Sequence, residues 1–200
     1  MLCRSTTVTI CLGLCLTAVS AVALTPCQTL VVPAAARGPG VGASVWRMDL
    51  YLINDSATST SANLFWLERD DDNRNATPVE ISVPAGQTVV LEDVILGLFG
   101  RDSAGGAIRI ESDHPIAATS RIYNLQSGVT FGQGFDGLTT ADAITACCTT
   151  VIGGLQQDTG TRSNAFAVAG EAGATIRIDA KTPSGAMLGS DTISVPPWGA

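Results

Sequence analysis

The chain has 200 residues and a net charge of −7, with 14% charged residues against 46% hydrophobic ones. That apolar share is too high for a disordered chain, and the acidic balance with singly scattered arginines excludes the basic patch that nucleic acid or an anionic membrane would need. The length suffices to bury a core, and short apolar runs punctuated by Gly and Pro point to many strands and turns, an all-β fold.

The first residues read as a secretory signal. Arg4 supplies the positive end, residues 8–19 form an apolar or small-residue run, and Ala21-Val22-Ala23 offers a small-residue cleavage site. The run is short for a bilayer span and no Lys/Arg stop-transfer cluster follows it. Residues 1–23 are therefore expected to be a signal peptide, with the mature chain starting at Leu24 and residing outside the cytoplasm: secreted, cell-surface or periplasmic. Neither Cys15 nor Cys27 is preceded by a convincing lipobox. The leader carries one Arg and no acids, so its removal takes the net charge to −8.

Cys27, Cys147 and Cys148 remain, an odd number for an oxidising compartment. A bridge from Cys27 to one of the adjacent pair, a strained bridge between Cys147 and Cys148, and a cross-link to another molecule all stay open. Three cysteines without a fourth ligand or C-x-x-C spacing do not make a zinc site.

Along the chain, residues 30–32 read as a short strand, and a glycine-rich loop follows at residues 37–42. Residues 48–53 then alternate, with Met48, Leu50 and Leu52 on one side and Asp49 and Tyr51 on the other. Asn54-Asp55-Ser56 is a turn. Residues 62–67 are apolar on both faces, as a strand covered above and below would be. The acidic loop after Glu68 leads to strands at 79–83 and 88–91 that reverse through Pro84-Ala85-Gly86-Gln87. Glu92 and Asp93 before Val94-Ile95-Leu96, with Gly100 behind, punctuate one short helix, apolar enough to plug the end of a sandwich. A hairpin follows: residues 107–111, a turn at Ser112-Asp113-His114-Pro115, and a return over 116–123. A strand at 129–131 closes the unit.

The stretch from Cys147 then rereads the stretch from Cys27. Cys27-Gln28-Thr29-Leu30-Val31-Val32-Pro33 is echoed by Cys147-Cys148-Thr149-Thr150-Val151-Ile152-Gly153, and Ile81-Ser82-Val83-Pro84 by Ile193-Ser194-Val195-Pro196. The expected organisation is a complete β-sandwich repeat over 24–137, a linker over 138–149 and a partial second repeat over 150–200. The second repeat would have strands at 165–168, 175–180 and 190–195. It stops without a counterpart of the helix or the closing hairpin, and unpaired strand edges invite another chain.

No motif brings reaction chemistry. Gly132-Gln133-Gly134-Phe135-Asp136-Gly137 is a literal G-x-G-x-x-G but lacks a βαβ context and reads as a flexible interdomain loop. Asp70-Asp71-Asp72-Asn73-Arg74-Asn75 lacks the glycine and terminal acid of an EF-hand and reads as a solvated hairpin tip. His114, the one histidine, reads as a turn residue with no nucleophile motif in support. Trp66 belongs to the doubly apolar strand, whereas Trp46 and Trp198 flank glycine-rich turns and are candidate ligand-facing aromatics for a sugar. Asn54-Asp55-Ser56 and Asn75-Ala76-Thr77 are glycosylation acceptors by pattern.

Three stretches carry a resemblance. Trp46-Arg47-Met48-Asp49-Leu50-Tyr51-Leu52-Ile53-Asn54; Leu91-Glu92-Asp93-Val94 with Leu98-Phe99-Gly100; and Ile110-Glu111-Ser112-Asp113-His114-Pro115-Ile116 with Thr119-Ser120-Arg121-Ile122-Tyr123-Asn124 together resemble an uncharacterised repeat of exported bacterial proteins, similar to immunoglobulin-like sandwiches. The likeness covers about residues 30–135 well and 150–200 weakly. It implies secretion and a β-sandwich and carries no catalytic residues or cofactor. The sequence thus leads to an immunoglobulin-like β-sandwich with one short helix and a second partial β unit. The expected role is non-catalytic: structural, adhesive or interacting, through sheet edges and loops, with other protein chains, cell-surface material or a copy of itself as partner. An extracellular glycan-binding module is the alternative.

Overall fold

The computed structural model describes residues 24–40, 44–126, 129–146, 148–160 and 163–200. The expected leader, residues 1–23, lies outside them. The chain is all-β: β1 (Cys27–Pro39), β2 (Val45–Asn54), β3 (Thr60–Glu68), β4 (Pro78–Val83), β5 (Gln87–Leu91), a four-residue helix α1 (Val94–Gly97), β6 (Ala104–Gln126), β7 (Val129–Asp136), and a separate hairpin of β8 (Ala174–Lys181) and β9 (Met187–Val195).

Strands β1 to β7 form one curled antiparallel sheet whose two arms share β6. In its first half β6 lies between β1 and β3, pairing Ile110 with both Leu30 and Leu64. In its second half it lies between β2 and β7, pairing Ile122 with both Met48 and Gln133. Strand β4 flanks β3, β5 flanks β2, and the end of β1 joins β2 through Gly38 opposite Trp46. The arms curl toward each other over a single core, to which Leu30, Met48, Leu50, Leu52, Leu64, Trp66, Ile108, Ile110, Ile116 and Ile122 all contribute. The alternation read in residues 48–53 holds, since Met48, Leu50 and Leu52 are fully buried and Asp49 and Tyr51 are not.

The expected turn at Ser112-Asp113-His114-Pro115 is instead a bend inside β6, which runs for 23 residues. Strands that pass from one arm of a curled sheet to the other turn such corners by bending. Pro115, which has no N–H to give, sits between the last ladder pair of the first half and the first of the second, where no partner asks for one. Side-chain parity survives the bend: Ile108, Ile110, Ile116, Ala118 and Ile122 all face the core.

The turn at residues 84–87 is present, with Gly86 at φ 65 and Gln87 N–H donating to Pro84 O at 3.3 Å. It does not make a hairpin, however, because β4 pairs with β3 and β5 with β2. The chain crosses between arms there, as it does from β2 to β3. Asn54 locks that second crossing. It is buried, its Nδ2 donates to Thr58 O (2.8 Å) and Val83 O (3.1 Å), and its Oδ1 accepts Ser56 N–H (3.1 Å) and Ser56 Oγ–H (2.7 Å). With its amide committed to two carbonyls, Asn54 is closed to glycosylation in the folded chain; Asn75 is exposed.

The short helix is where the acids and Gly100 place it. Asp93 takes a left-handed conformation (φ 43) ahead of it, and Val94 and Ile95 plug into the core. The G-x-G-x-x-G segment, by contrast, is not a loop, because residues 132–136 belong to β7. A Cβ on Gly132 would lie 2.4 Å from Ile122 O, so a glycine there lets β7 close against β6. The start of the expected linker is tied down too: Leu138 exchanges backbone hydrogen bonds with Val31 (2.9 and 2.8 Å), and Thr139 caps a 3-10 turn at Thr140–Asp142.

The second unit differs most from expectation. Residues 148–153 and 165–168 form no strand, so the echo of β1 has no structural counterpart among the described residues, whereas the strands expected at 175–180 and 190–195 form and pair as the β8–β9 hairpin. The other echo, of Ile81-Ser82-Val83 at Ile193-Ser194-Val195, falls on the ends of two strands, β4 and β9.

Asn54→Ala should cost about 2–3 kcal/mol in urea unfolding, because it strands the Val83 carbonyl and the Ser56 N–H inside the corner. A loss below about 0.5 kcal/mol would show that the corner is not held by this side chain.

Candidate functional site

The candidate site is an open cleft of about 670 Å³ at one end of the curled sheet, lined by Arg37, Pro39 and Trp46 with Ser103 beside Gly38, and by Glu68, Arg69 and Asp70 from the end of β3. Each wall is set by its strand. The end of β1 carries Arg37 up beside Trp46 of β2, and the end of β3 delivers Glu68 opposite. Trp46 is 36% exposed, a flat apolar surface turned partly to solvent.

Arg37 is fixed between two carboxylates. Its Nε donates to both oxygens of Asp93 (2.9 and 3.1 Å), and its Nη1 donates to the Asp102 carboxylate and to Asp102 O (2.7 Å). The hydrogen bond to Asp93, above all, raises the already high pKa of this guanidinium. Asp93 in turn donates its N–H to Asp49 Oδ1 (2.9 Å), which also accepts the Tyr123 hydroxyl at 3.3 Å. Burial, and then the negative Asp49, push the Tyr123 phenol above its ordinary range, so it stays a protonated donor. On the far wall Glu68 accepts from Trp66 Nε1 (3.1 Å) and pairs with Arg101 (2.5 Å), whose guanidinium lies 5.6 Å from the Trp66 ring centre. Such an aromatic face between fixed guanidiniums and carboxylates suits a polar ligand that stacks on one side and hydrogen-bonds on the other.

Trp198, the second candidate aromatic, does not line this cleft. It lies on the outer face of β3 and β6, where the Arg109 guanidinium is held between two rings, 4.0 Å from the Phe65 centre and 4.5 Å from that of Trp198. Beneath them Phe65, Leu67 and Ala107 form a small second core closed by Val168, Trp198 and Ala200. The doubly apolar reading of residues 62–67 is thereby explained: one face meets the main core, and the chain's last residues cover the other.

Asn73 pins that cover. Although it sits in the acidic hairpin tip, it is buried, its Oδ1 accepts Glu68 N–H (2.9 Å), and its Nδ2 donates to Glu68 O (2.9 Å), Asp71 O (3.0 Å) and Trp198 O (3.0 Å). Its backbone N–H donates to Pro197 O at 3.0 Å. The rest of the tip is solvated, as read: Asp72 pairs with Arg74, whose hydrogen bonds lower its pKa. Among the described residues no cluster of three or more His, Cys, Asp or Glu could hold a metal. Sequence reasoning missed Asn73 and Arg109, although an outward-facing Phe65 and Leu67 already implied that something must cover them.

His114 is exposed at the bend of β6. Its N–H donates to Thr60 Oγ1 (3.0 Å) and its carbonyl accepts Ser112 Oγ–H (2.8 Å), and it is not among the cleft residues. Cys27 is a half-buried free thiol opposite Ile116. Cys148 is exposed, with Thr145 Oγ1 at 3.2 Å from its sulfur, and Cys147 lies outside the described residues.

Comparisons with family models and with curated proteins return no match. Among solved structures, a Thermotoga maritima protein described as Thermotoga maritima 1070 aligns with 56% of this chain and 92% of its own, at 14% identity and a TM-score of 0.45. Among the described residues no helix is long and apolar enough to cross a membrane.

Asn73→Ala should free residues 196–200 from the outer face of β3, read as digestion by carboxypeptidase under conditions that leave the parent chain intact. Trp198→Ala should in addition cost about 2 kcal/mol by uncovering Phe65 and Leu67. Equal resistance of parent and Asn73→Ala would contradict the pinning role.

Proposed function

We propose that this chain is an exported, non-catalytic protein with a structural or adhesive role, engaging other protein chains or cell-surface material through its sheet edges. The supporting observation is how much edge is left open and apolar. Among the described residues strand β7 pairs only with β6 and exposes Val129 (54%) and Phe131 (62%), and both strands of the β8–β9 hairpin are largely exposed. Unpaired edges of this kind recruit strands, and apolar side chains along them supply the affinity. On this reading the curled sheet is a variant of the immunoglobulin-like sandwich, the leader sends it to a secreted, periplasmic or cell-surface location, and no cofactor, nucleic acid or membrane takes part after cleavage.

A glycan-binding role is the second reading, favoured by Trp46 alone: its exposed ring faces a cleft lined with Glu68, Arg69 and Asp70. Trp198, stacked on Arg109, takes no part in it.

Export is tested by fusing residues 1–23 to a reporter active only outside the cytoplasm. The fusion should be active, and the exported chain should have an intact mass starting at Leu24; a reporter left uncleaved inside the cell would refute the assignment. On a glycan array the edge reading expects no Trp46-dependent signal, whereas binding abolished by Trp46→Ala would replace it with the second reading.

A further inference from the structure

Among the described residues the β8–β9 hairpin makes no ladder with the curled sheet. Isolated two-stranded ribbons are marginally stable in water. This one is also amphipathic. Ala174, Ile176, Ile178 and Ala180 share a face with Ile193 and Val195, interrupted by Asp191 opposite Ile178, whereas Thr175, Arg177 and Asp179 share the other with Ser194, Thr192 and Ser190. On the apolar face Ile178 is 46% exposed and Ile193 37%. The outer edge of β8 has no strand partner among the described residues.

We propose that this edge pairs, antiparallel, with the same edge of a second copy of the chain, about a twofold axis through Ile178. The inference names a partner for the sheet-edge reading above and rests on it. The charges on β8 choose the occupant and, with the irregularity between Ala180 and Lys181 that takes Lys181 out of a ladder centred on Ala180, the register. In a twofold antiparallel pair each residue faces its mirror position about a central residue, because facing residues must lie on the same side of the sheet. Centring on Ile178 sets Arg177 opposite Asp179 of the second copy and Asp179 opposite Arg177 of the second copy, with Ile178 against itself and Ile176 against Ala180. Centring on Arg177 or Asp179 would set like charges face to face, which destabilises a ladder. Strand β9 offers no such match, since its single charge is Asp191.

Within one copy Arg177 Nε already lies 3.0 Å from Asp179 Oδ1, and Ser190 Oγ donates to the same oxygen at 2.7 Å. Both charged groups are thus held on the polar face, ready for a second pairing across the axis. The product is a four-stranded sheet, β9-β8-β8-β9, beyond the strand number at which sheets become independently stable. It also closes: an isologous edge contact stops at two copies, whereas β8 against β9 of the next copy would propagate into a filament.

The test uses the purified chain with its other cysteines replaced by serine. Under mild oxidation Ile178→Cys should give a covalent dimer, because facing residues lie within disulfide reach, and Thr175→Cys should not, its two copies sitting roughly 20 Å apart along the strands. In sedimentation at about 0.15 M salt, Arg177→Asp or Asp179→Arg should weaken association about tenfold, and the double exchange should restore it, which a merely unfolded hairpin would not do. A chain that stays monomeric with no cross-link at position 178 overturns the pairing while leaving the export test of the broader reading untouched. A cross-link from Thr192→Cys, open-ended oligomers, or a double exchange that does not restore association each overturn it as well.

Discussion

Strand β6 hydrogen-bonds on both edges in both of its halves, to β1 and β3 first and to β2 and β7 after the bend. Four of the other six strands of the curled sheet therefore take their register from one segment, and the remaining two, β4 and β5, take theirs at one remove. Because side chains alternate with period two, a slip of one residue in β6 would turn Ile108, Ile110, Ile116 and Ile122 out of the core together. Keeping parity through the bend at Pro115 is what allows two arms to share one core. The crossings between arms, at Asn54, at Pro84 to Gln87 and through α1 from β5 to β6, then only have to turn the chain.

The same economy leaves one face of β3 facing outward with Phe65 and Leu67 on it. A strand apolar on both sides must be covered on both. Here the cover is the far end of the chain, drawn in by the Asn73 side chain and by Trp198 stacked on Arg109. Arg109 can be almost buried there because two aromatic faces and Glu111 (3.2 Å) compensate its charge. Returning the chain end to β3 also anchors the base of the β8–β9 hairpin, where Val195 and Ala169 are buried while the rest of the ribbon stays in solvent. The β8–β9 edges are thus held out from a fixed base.

What the sequence disclosed follows from range. Period-two alternation in β2, the doubly apolar run in β3 and the punctuation of α1 are local signals, and each element formed where its residues placed it. Ser112-Asp113-His114-Pro115 and Pro84-Ala85-Gly86-Gln87 have turn chemistry, but whether such a segment makes a hairpin, a crossing or a bend is decided by which distant strand takes up the backbone afterwards. Gly132 looked like a loop residue because its reason for being glycine, the nearness of Ile122 O, lies on another strand. Of the two candidate aromatics, Trp46 faces a cleft and Trp198 became a covering residue, a difference settled by Arg109 and Asn73, far away in sequence. Residues 148–153, which echo the start of β1, join no ladder among the described residues and form no strand, whereas Ile193-Ser194-Val195, which echoes the end of β4, ends β9.

Native-state hydrogen exchange of β6, resolved along its length, is the most direct measurement. If the strand is one spine for both arms, amides over 106–112 and 117–125 should share a single opening free energy equal to that of global unfolding, with β8 and β9 exchanging far earlier. Two separate protection classes within β6, one for each arm, would show that the arms are independent units joined by a hinge at Pro115 and would contradict this account.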